Sequence, residues 1–142
     1  MYEYKVSRLY KVVDGDTIEV DIDLGFNVSI HKTVRLAGID TPESRTKDAY
    51  EKKFGLEAKE WLKTKLKDAE NIRIRTEKPD STEKYGRILG WLFRNNDTVS
   101  INETMIQQGY AWSYMGEKKV KDFALLEQRR KNAEPITDVQ PN

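Results

Sequence analysis

The alternation of apolar and polar residues in the first forty positions constrains this chain more than any other feature. In residues 17–24 every second side chain is apolar, namely Ile18, Val20, Ile22 and Leu24. The residues between them are mostly acids. A looser alternation covers residues 6–13, and a third covers residues 28–39. Successive side chains of a strand point to opposite faces, so each segment is predicted to be a strand with one buried side. The connections are short, which predicts an antiparallel meander.

The rest of the chain alternates between helical and strand patterns. A helix is predicted over about residues 54–68, because its apolar residues and one lysine recur at helical spacing: Ala58, Trp61, Leu62, Lys65, Leu66 and Ala69. Ser100 and Glu103 form a capping box for a short helix that Gly109 ends. A last helix is expected over about residues 118–132, stopped by Pro135.

Two further strands complete the predicted architecture. Residues 71–76 alternate, and residues 87–94 place Leu89, Trp91 and Phe93 on one face, which we expect to be buried. The charged residues 44–53 are predicted to form a surface loop. The element order predicts a mainly β, α+β fold, in which a five-stranded OB-type barrel packs against helices.

Composition bounds the domain count and excludes several classes of site. A chain of 142 residues fits one domain, expected over residues 1–134 with a polar tail at 135–142. There is no cysteine and only one histidine, His31, which excludes thiolate chemistry and zinc sites of the His/Cys type. No segment is typical of an export signal. We therefore expect a cytoplasmic, a phage-encoded or a processed secreted protein.

Two acid pairs, each at the end of a predicted strand, are the strongest candidates for a metal site. Asp14 and Asp16 flank a glycine, and Asp40 and Glu43 flank Thr41 and a proline. Hard cations bind carboxylate and carbonyl oxygens, and Asp16, Asp40 and one nearby carbonyl would form an incomplete shell. An incomplete shell leaves positions for substrate and water. Ligand type leaves calcium and magnesium open, and either acid pair alone is also typical of an ordinary turn.

Two arginines suit the binding of a phosphate. Arg35 lies within the third predicted strand and Arg87 follows Lys84, Tyr85 and a glycine. A guanidinium group binds two phosphate oxygens at once and stays charged. The alternative is a surface ion pair for each arginine. Strict alternation would place Arg35 and Asp40 on opposite faces, unless a bulge or twist near the intervening glycine redirects the strand.

The motifs together resemble the staphylococcal nuclease (thermonuclease) family over about residues 5–133. The resemblance is carried by five segments in compatible order and spacing: VVDGDTIEV, TVRLAGIDTPE, FGLEAKEWL, EKYGRILGWLF and INETMIQQGYA. It implies an OB barrel with three helices and a calcium-dependent endonuclease that cleaves DNA and RNA and leaves 3′-phosphates. One calcium ion per site would be bound by Asp16, Asp40 and the Thr41 carbonyl, with Asp14 close behind them.

The resemblance also implies roles for the remaining site residues. Glu43 would orient or deprotonate the attacking water, and Arg35 and Arg87 would bind the scissile phosphate. Lys84 and Tyr85 would contact a neighbouring phosphate. Family members also have tyrosines that stack on the base, for which this chain offers Tyr114 or Trp112, and a C-terminal tryptophan, for which it offers only Ile136.

Two other functions remain open at this point: a non-catalytic nucleic-acid-binding OB barrel, and a calcium-binding interaction domain. A barrel that only binds nucleic acid has no need for four acids beside a phosphate site, because acids repel phosphate unless a cation is present. A calcium-binding interaction domain leaves the two arginines without a function. The expected partners are DNA and RNA as substrate, with no membrane and no obligate protein partner, and the expected state is a monomer. The basic runs at residues 118–121 and 129–131 are interpreted as solvated surfaces, with steering of nucleic acid as the alternative.

Overall fold

The chain folds into a closed five-stranded barrel with three helices. The computed structural model describes residues 2–77, 82, 83 and 86–133. Its elements, in chain order, are β1 (Tyr2–Asp14), β2 (Thr17–Asp23), β3 (Ser29–Leu36), β4 (Ile39–Asp40), α1 (Ala49–Lys67), β5 (Ile72–Thr76), β6 (Ile88–Arg94), α2 (Ile101–Gln107), β7 (Trp112–Ser113) and α3 (Phe123–Ala133). The barrel order is β1-β2-β3-β6-β5, with the β3–β6 pair parallel and the other pairs of neighbouring strands antiparallel. The predicted fold class and meander are confirmed.

The inward residues of the alternating strands fill the barrel. Ile18 and Val20 of β2 and Val34 of β3 are fully buried, and Leu62 of α1 and Met105 of α2 close the ends of the same core. Burying one aliphatic side chain of this kind contributes about 1.5–3 kcal/mol. The pairing of β2 with β3 keeps these residues in register, and it fixes where the polar residues at the strand ends come to lie.

Two helix boundaries differ from the sequence prediction. The predicted surface loop over residues 44–53 is wrong in its second half, because α1 begins at Ala49. Asp48 caps it by accepting hydrogen bonds from the backbone N–H groups of Tyr50 and Glu51. The last helix begins at Phe123, so residues 118–122 are not helical. The Ser100 cap of α2 is confirmed. No helix within the described ranges is both long and apolar enough to cross a membrane.

The predicted buried face of β6 is also wrong. Gly90 and Leu92 face the interior, whereas Leu89 is 39% exposed and Trp91 is half-buried. Phe93 is buried on the outer side, where the guanidinium groups of Arg73 and Arg75 lie over its ring. Apolar residues therefore occupy both faces of this strand, and alternation alone did not identify the inner one.

Candidate active site

A polar cleft at one end of the barrel brings together most of the predicted site residues. It has a volume of about 330 Å³, and the residues that line it come from the ends of β1 to β4, from the segment before α1, and from positions 87 and 119: Asp14, Asp16, Thr17, Arg35, Asp40, Thr41, Pro42, Glu43, Ser44, Arg45, Arg87 and Lys119. Lys84 and Tyr85 lie outside the described residues, so their predicted phosphate contacts remain predictions.

A left-handed turn at Gly38 resolves the conflict between Arg35 and Asp40. Gly38 has φ +76°, a conformation that favours glycine, and it separates β3 from the short strand β4. The turn is held by buried Asn102, whose Nδ2 donates to the carbonyl of Ala37 at 2.8 Å while its Oδ1 accepts from the N–H of Leu92 at 3.0 Å. The turn lets two residues of opposite parity line one cleft.

Arg35 is fixed by the backbone of the same turn. Its Nη1 donates to the carbonyl of Leu36 at 2.6 Å, and its Nη2 donates to the carbonyl of Ile39 at 3.0 Å. The same Nη2 lies 3.5 Å from Oδ2 of Asp16. With only 12% of its side chain exposed, Arg35 presents a charge whose direction is set before any ligand arrives.

Asp16 and Asp40 are largely buried acids that face the cleft. Oδ1 of Asp16 accepts a hydrogen bond of 2.9 Å from the hydroxyl of Thr17. Oδ1 of Asp40 lies 3.4 Å from the ammonium of Lys119, which comes from the segment before α3. The side chains of Asp16 and Asp40 are 15% and 10% exposed. Partial burial of this kind leaves each carboxylate in need of a cation.

Glu43 stands at the opening of the cleft, and its backbone is held from behind. The N–H of Glu43 donates to Oε2 of Glu51 at 3.0 Å. Glu51 is buried in the first turn of α1 and also pairs with Lys121 at 2.9 Å. That carboxylate, assisted by the charges of Glu43 and Asp40, raises the pKa of Lys121 against the opposing effect of burial. The peptide after Glu43 packs directly on the backbone of Gly55.

Asp14 anchors the chain beside Glu43 and is not free to bind a ligand with both oxygens. Its Oδ1 accepts from the hydroxyl of Ser44 at 2.8 Å, and its Oδ2 accepts from Nη2 of Arg45 at 3.0 Å. This arrangement suits a supporting position behind the other acids. The other acids that line the cleft are Asp16, Asp40 and Glu43.

Arg87 lines the same cleft as Arg35. Its Nε donates to Oε1 of Glu83, four residues earlier, and its side chain is 37% exposed. The contact uses one edge of the guanidinium group and leaves the other donors for a ligand. The cleft thus has one buried arginine held by backbone carbonyls and one half-exposed arginine held by a carboxylate.

A second, less polar depression adjoins the cleft and shares Arg35 with it. It has a volume of about 500 Å³, and aromatic and aliphatic side chains dominate its walls, among them Leu89, Trp91, Tyr114 and Met115. Tyr114 therefore lies where a base next to a bound phosphate would be expected.

Trp112, the alternative base-stacking residue, lies in the core. It is 5% exposed, packs edge-on against Phe123, and donates from Nε1 to the carbonyl of Asp122 at 3.0 Å. The prediction that Trp112 could stack on a base is therefore wrong. This packing and fully buried Leu126 attach α3 to the body of the protein, whereas Ile136 lies outside the described residues.

The donor set of the cleft fits a hard cation. Its acids supply oxygen ligands, and the described residues contain no group of three or more His, Cys, Asp or Glu side chains arranged to hold an ion alone. Two carboxylates and a peptide carbonyl make a shell that needs water or substrate to be complete, as an open catalytic site does. In the structure, the ammonium of Lys119 lies beside Asp40, the carboxylate that would also attract such an ion.

Comparisons with known proteins agree with this geometry. The family described as staphylococcal nuclease homologue matches residues 33–135. An uncharacterized protein of Methanocaldococcus jannaschii is 31% identical over 146 residues, covering 90% of this chain and 68% of that protein. The thermonuclease of Staphylococcus hyicus is 29% identical over 94% of this chain and 72% of its own length. Endonuclease YncB of Bacillus subtilis is 30% identical over 87% of this chain and 57% of its own length.

Proposed function

Because the chain belongs to the family of staphylococcal nuclease homologues, we propose that it is a metal-dependent nuclease that hydrolyses phosphodiester bonds. Its cofactor is calcium, its substrates are DNA and RNA, and it breaks the bond between phosphorus and the 5′ oxygen, leaving 3′-phosphates. The observation that carries the proposal is the single cleft lined by Asp16, Arg35, Asp40, Glu43 and Arg87.

The two arginines support the charge that builds up on the phosphate. Attack on a phosphodiester places extra negative charge on the oxygens around a five-coordinate phosphorus. Arg35, fixed by the carbonyls of Leu36 and Ile39, needs no reorganisation to meet that charge. Arg87 keeps donors that Glu83 does not use. Both act as charge clamps, because a guanidinium group keeps its proton and is therefore a poor proton donor.

Asp16, Asp40 and the carbonyl of Thr41 would hold the divalent cation. When bound, the cation polarises a phosphate oxygen and makes a coordinated water more acidic. Asp14 supports this arrangement by tying Ser44 and Arg45 to the end of β1. Thr41 is buried directly after Asp40 and lines the cleft.

Glu43 would position the attacking water and accept its proton. A carboxylate is a weak base for bulk water, so the placement of Glu43 matters more than its basicity. Its backbone is held by Glu51 and by close packing on Gly55. These contacts hold the backbone of Glu43 beside the cleft that its side chain lines, where the carboxylate would orient a water next to the phosphate.

The depression beside the cleft would bind the base next to the cleaved bond. Tyr114 supplies an aromatic face, and Leu89 and Met115, which are exposed, supply apolar contacts. Every base has a π face, so such a site accepts DNA and RNA of varied sequence. Lys84 and Tyr85 would contact the adjacent phosphate.

A cleavage assay tests the proposal. Single-stranded DNA and RNA are incubated with calcium, magnesium, manganese or a chelator, and the ends of the products are identified. We expect calcium to switch on cleavage and the products to carry 3′-phosphates. Binding without cleavage in every metal would instead identify a non-catalytic nucleic-acid-binding barrel.

A substitution tests the role of Glu43. Glu43→Gln should lower turnover about 10²- to 10⁴-fold while substrate still binds. Glu60→Gln serves as the control, because Glu60 is an exposed residue of α1.

A further inference from the structure

Lys119 lines the cleft. Its basic run was predicted to be a solvated surface or to steer nucleic acid, and neither role requires a lysine inside the cleft. Its ammonium is 3.4 Å from Asp40, and it also lies 5.4 Å from the ring centre of Tyr114. The residue thus stands between the acid that would bind the cation and the aromatic that would stack on a base. About half of its side chain is exposed, so the ammonium keeps access to solvent.

The segment that carries Lys119 is fixed at both ends. We call residues 115–121 the cleft segment. Before it, the N–H of Tyr114 donates to the carbonyl of Gly38 at 2.9 Å, and after it, the carbonyl of Asp122 accepts from Nε1 of Trp112. Within it, Lys121 pairs at 2.9 Å with buried Glu51. The backbone is therefore held beside the cleft, and only the side chain of Lys119 needs to move.

The two lysines of the cleft segment have partners of different kinds. Glu51 binds Lys121 and the backbone of Glu43 together, and its burial makes the loss of either partner costly. Asp40 is a proposed ligand of the divalent cation, so its contact with Lys119 is exchangeable. A divalent cation at Asp40 would repel the ammonium, which sits on a flexible four-carbon stem and can turn to another anion nearby.

The anion that suits a displaced Lys119 is a phosphate of the substrate strand. Tyr114 and Lys119 are neighbours, so a base on Tyr114 would bring its own backbone phosphate close to the ammonium. This inference rests on the proposed nuclease function. We propose that Lys119 is a substrate-binding residue that pairs with Asp40 in the metal-free protein and transfers to a substrate phosphate when the divalent cation binds.

The first test measures calcium affinity by isothermal titration calorimetry without nucleic acid. Lys119→Met removes the competing charge and is expected to tighten calcium binding roughly two- to fivefold, the range typical of an exposed ion pair. Lys118→Met is the matched control, because Lys118 is the exposed neighbour, forms no ion pair among the described residues, and carries the same charge. Equal calcium affinities in the two variants would overturn the proposed competition at Asp40.

The second test measures the salt dependence of binding to a fluorescein-labelled single-stranded DNA oligonucleotide with calcium present. All variants carry Glu43→Gln so that the strand stays intact. Loss of one phosphate contact lowers the slope of log affinity against log salt by about 0.7 for single strands. We expect this decrease for Lys119→Met, no decrease for Lys118→Met, and restoration by Lys119→Arg. An unchanged slope for Lys119→Met would refute the phosphate contact.

The two tests separate this inference from the function on which it rests. If the wild-type protein neither binds nor cleaves single-stranded nucleic acid in calcium, the proposed function fails, and the phosphate contact fails with it. If the wild-type protein cleaves but both lysine variants behave alike, the nuclease proposal stands and Lys119 has no special role.

Discussion

Gly55→Ala is expected to raise the activation barrier by more than it lowers the free energy of unfolding. A Cβ atom at this position would lie 2.4 Å from the carbonyl oxygen of Glu43, 2.5 Å from its carbonyl carbon and 2.6 Å from the nitrogen of Ser44. These are backbone atoms, so no side-chain rotation relieves the clash. To reach an ordinary contact distance of 3.4 Å, the peptide after Glu43 must move by about 1 Å.

The displacement sets the expected magnitude. A shift of about 1 Å in a catalytic group can lower turnover by about 10²-fold, which corresponds to roughly 2.7 kcal/mol in the activation barrier. The stability effect is smaller, because overpacking costs about 1–3 kcal/mol while replacing glycine by alanine within a helix returns about 1 kcal/mol. The free energy of unfolding should therefore fall by at most about 2 kcal/mol.

The assay compares turnover and urea-induced unfolding for Gly55→Ala and for Ile74→Val. Ile74 is a fully buried residue of β5 that does not line the cleft, and its truncation costs about 0.5–1.5 kcal/mol. We expect Ile74→Val to keep wild-type turnover at a temperature where both variants are folded. A folded Gly55→Ala protein with turnover within twofold of wild type would refute the argument that α1 positions Glu43.

Three further outcomes test the fold and the cation site. Asn102→Ala leaves buried partners without hydrogen bonds, including the Leu92 N–H, and should lower the unfolding free energy in urea by about 2–5 kcal/mol. Glu19 and Asp21 raise the pKa of His31 above its ordinary 6.5, so protonated His31 stabilises the folded state below that pH, and the contribution disappears as pH rises through the raised pKa. Thermal unfolding of His31→Gln should therefore occur below that of wild type near about pH 5 and match it near about pH 9. Calcium at about 100 times its dissociation constant should add about 2.7 kcal/mol of stability, and a chelator should remove it.

The barrel was predictable because the residue patterns that determine it lie within each strand and in the short turns beside it. The alternation in residues 17–24 determines which side of β2 is buried, and the short turns on either side pair it with β1 and β3. Asp16 and Asp40 were predictable as site candidates for the same reason, since both lie where a predicted strand ends. The turn that brings Arg35 and Asp40 to one cleft required the φ angle of Gly38 and the support of Asn102, which no spacing rule supplies.

The contacts made by charged residues could not be predicted from neighbouring sequence. Glu51 was placed in a polar loop, yet it is buried, and its partner Lys121 is 70 positions away. Lys119 belongs to a basic run that the sequence predicts to be a solvated surface, whereas the fold brings its ammonium close to Asp40. Contacts of charged residues also explain why the buried face of β6 was predicted wrongly. Phe93 lies on the outer face of the strand but is buried there, because arginines of β5 cover its ring.

The charges that line the cleft explain why cation and substrate should depend on each other. Among the described lining residues, the carboxylates of Asp14, Asp16, Asp40 and Glu43 are matched by three arginines and Lys119. With formal charges in balance, the cleft offers a phosphate no net attraction. A divalent cation would leave two positive charges in excess and would also release Lys119 from Asp40. Substrate binding would then follow cation binding even though the whole chain carries a formal charge of only +1.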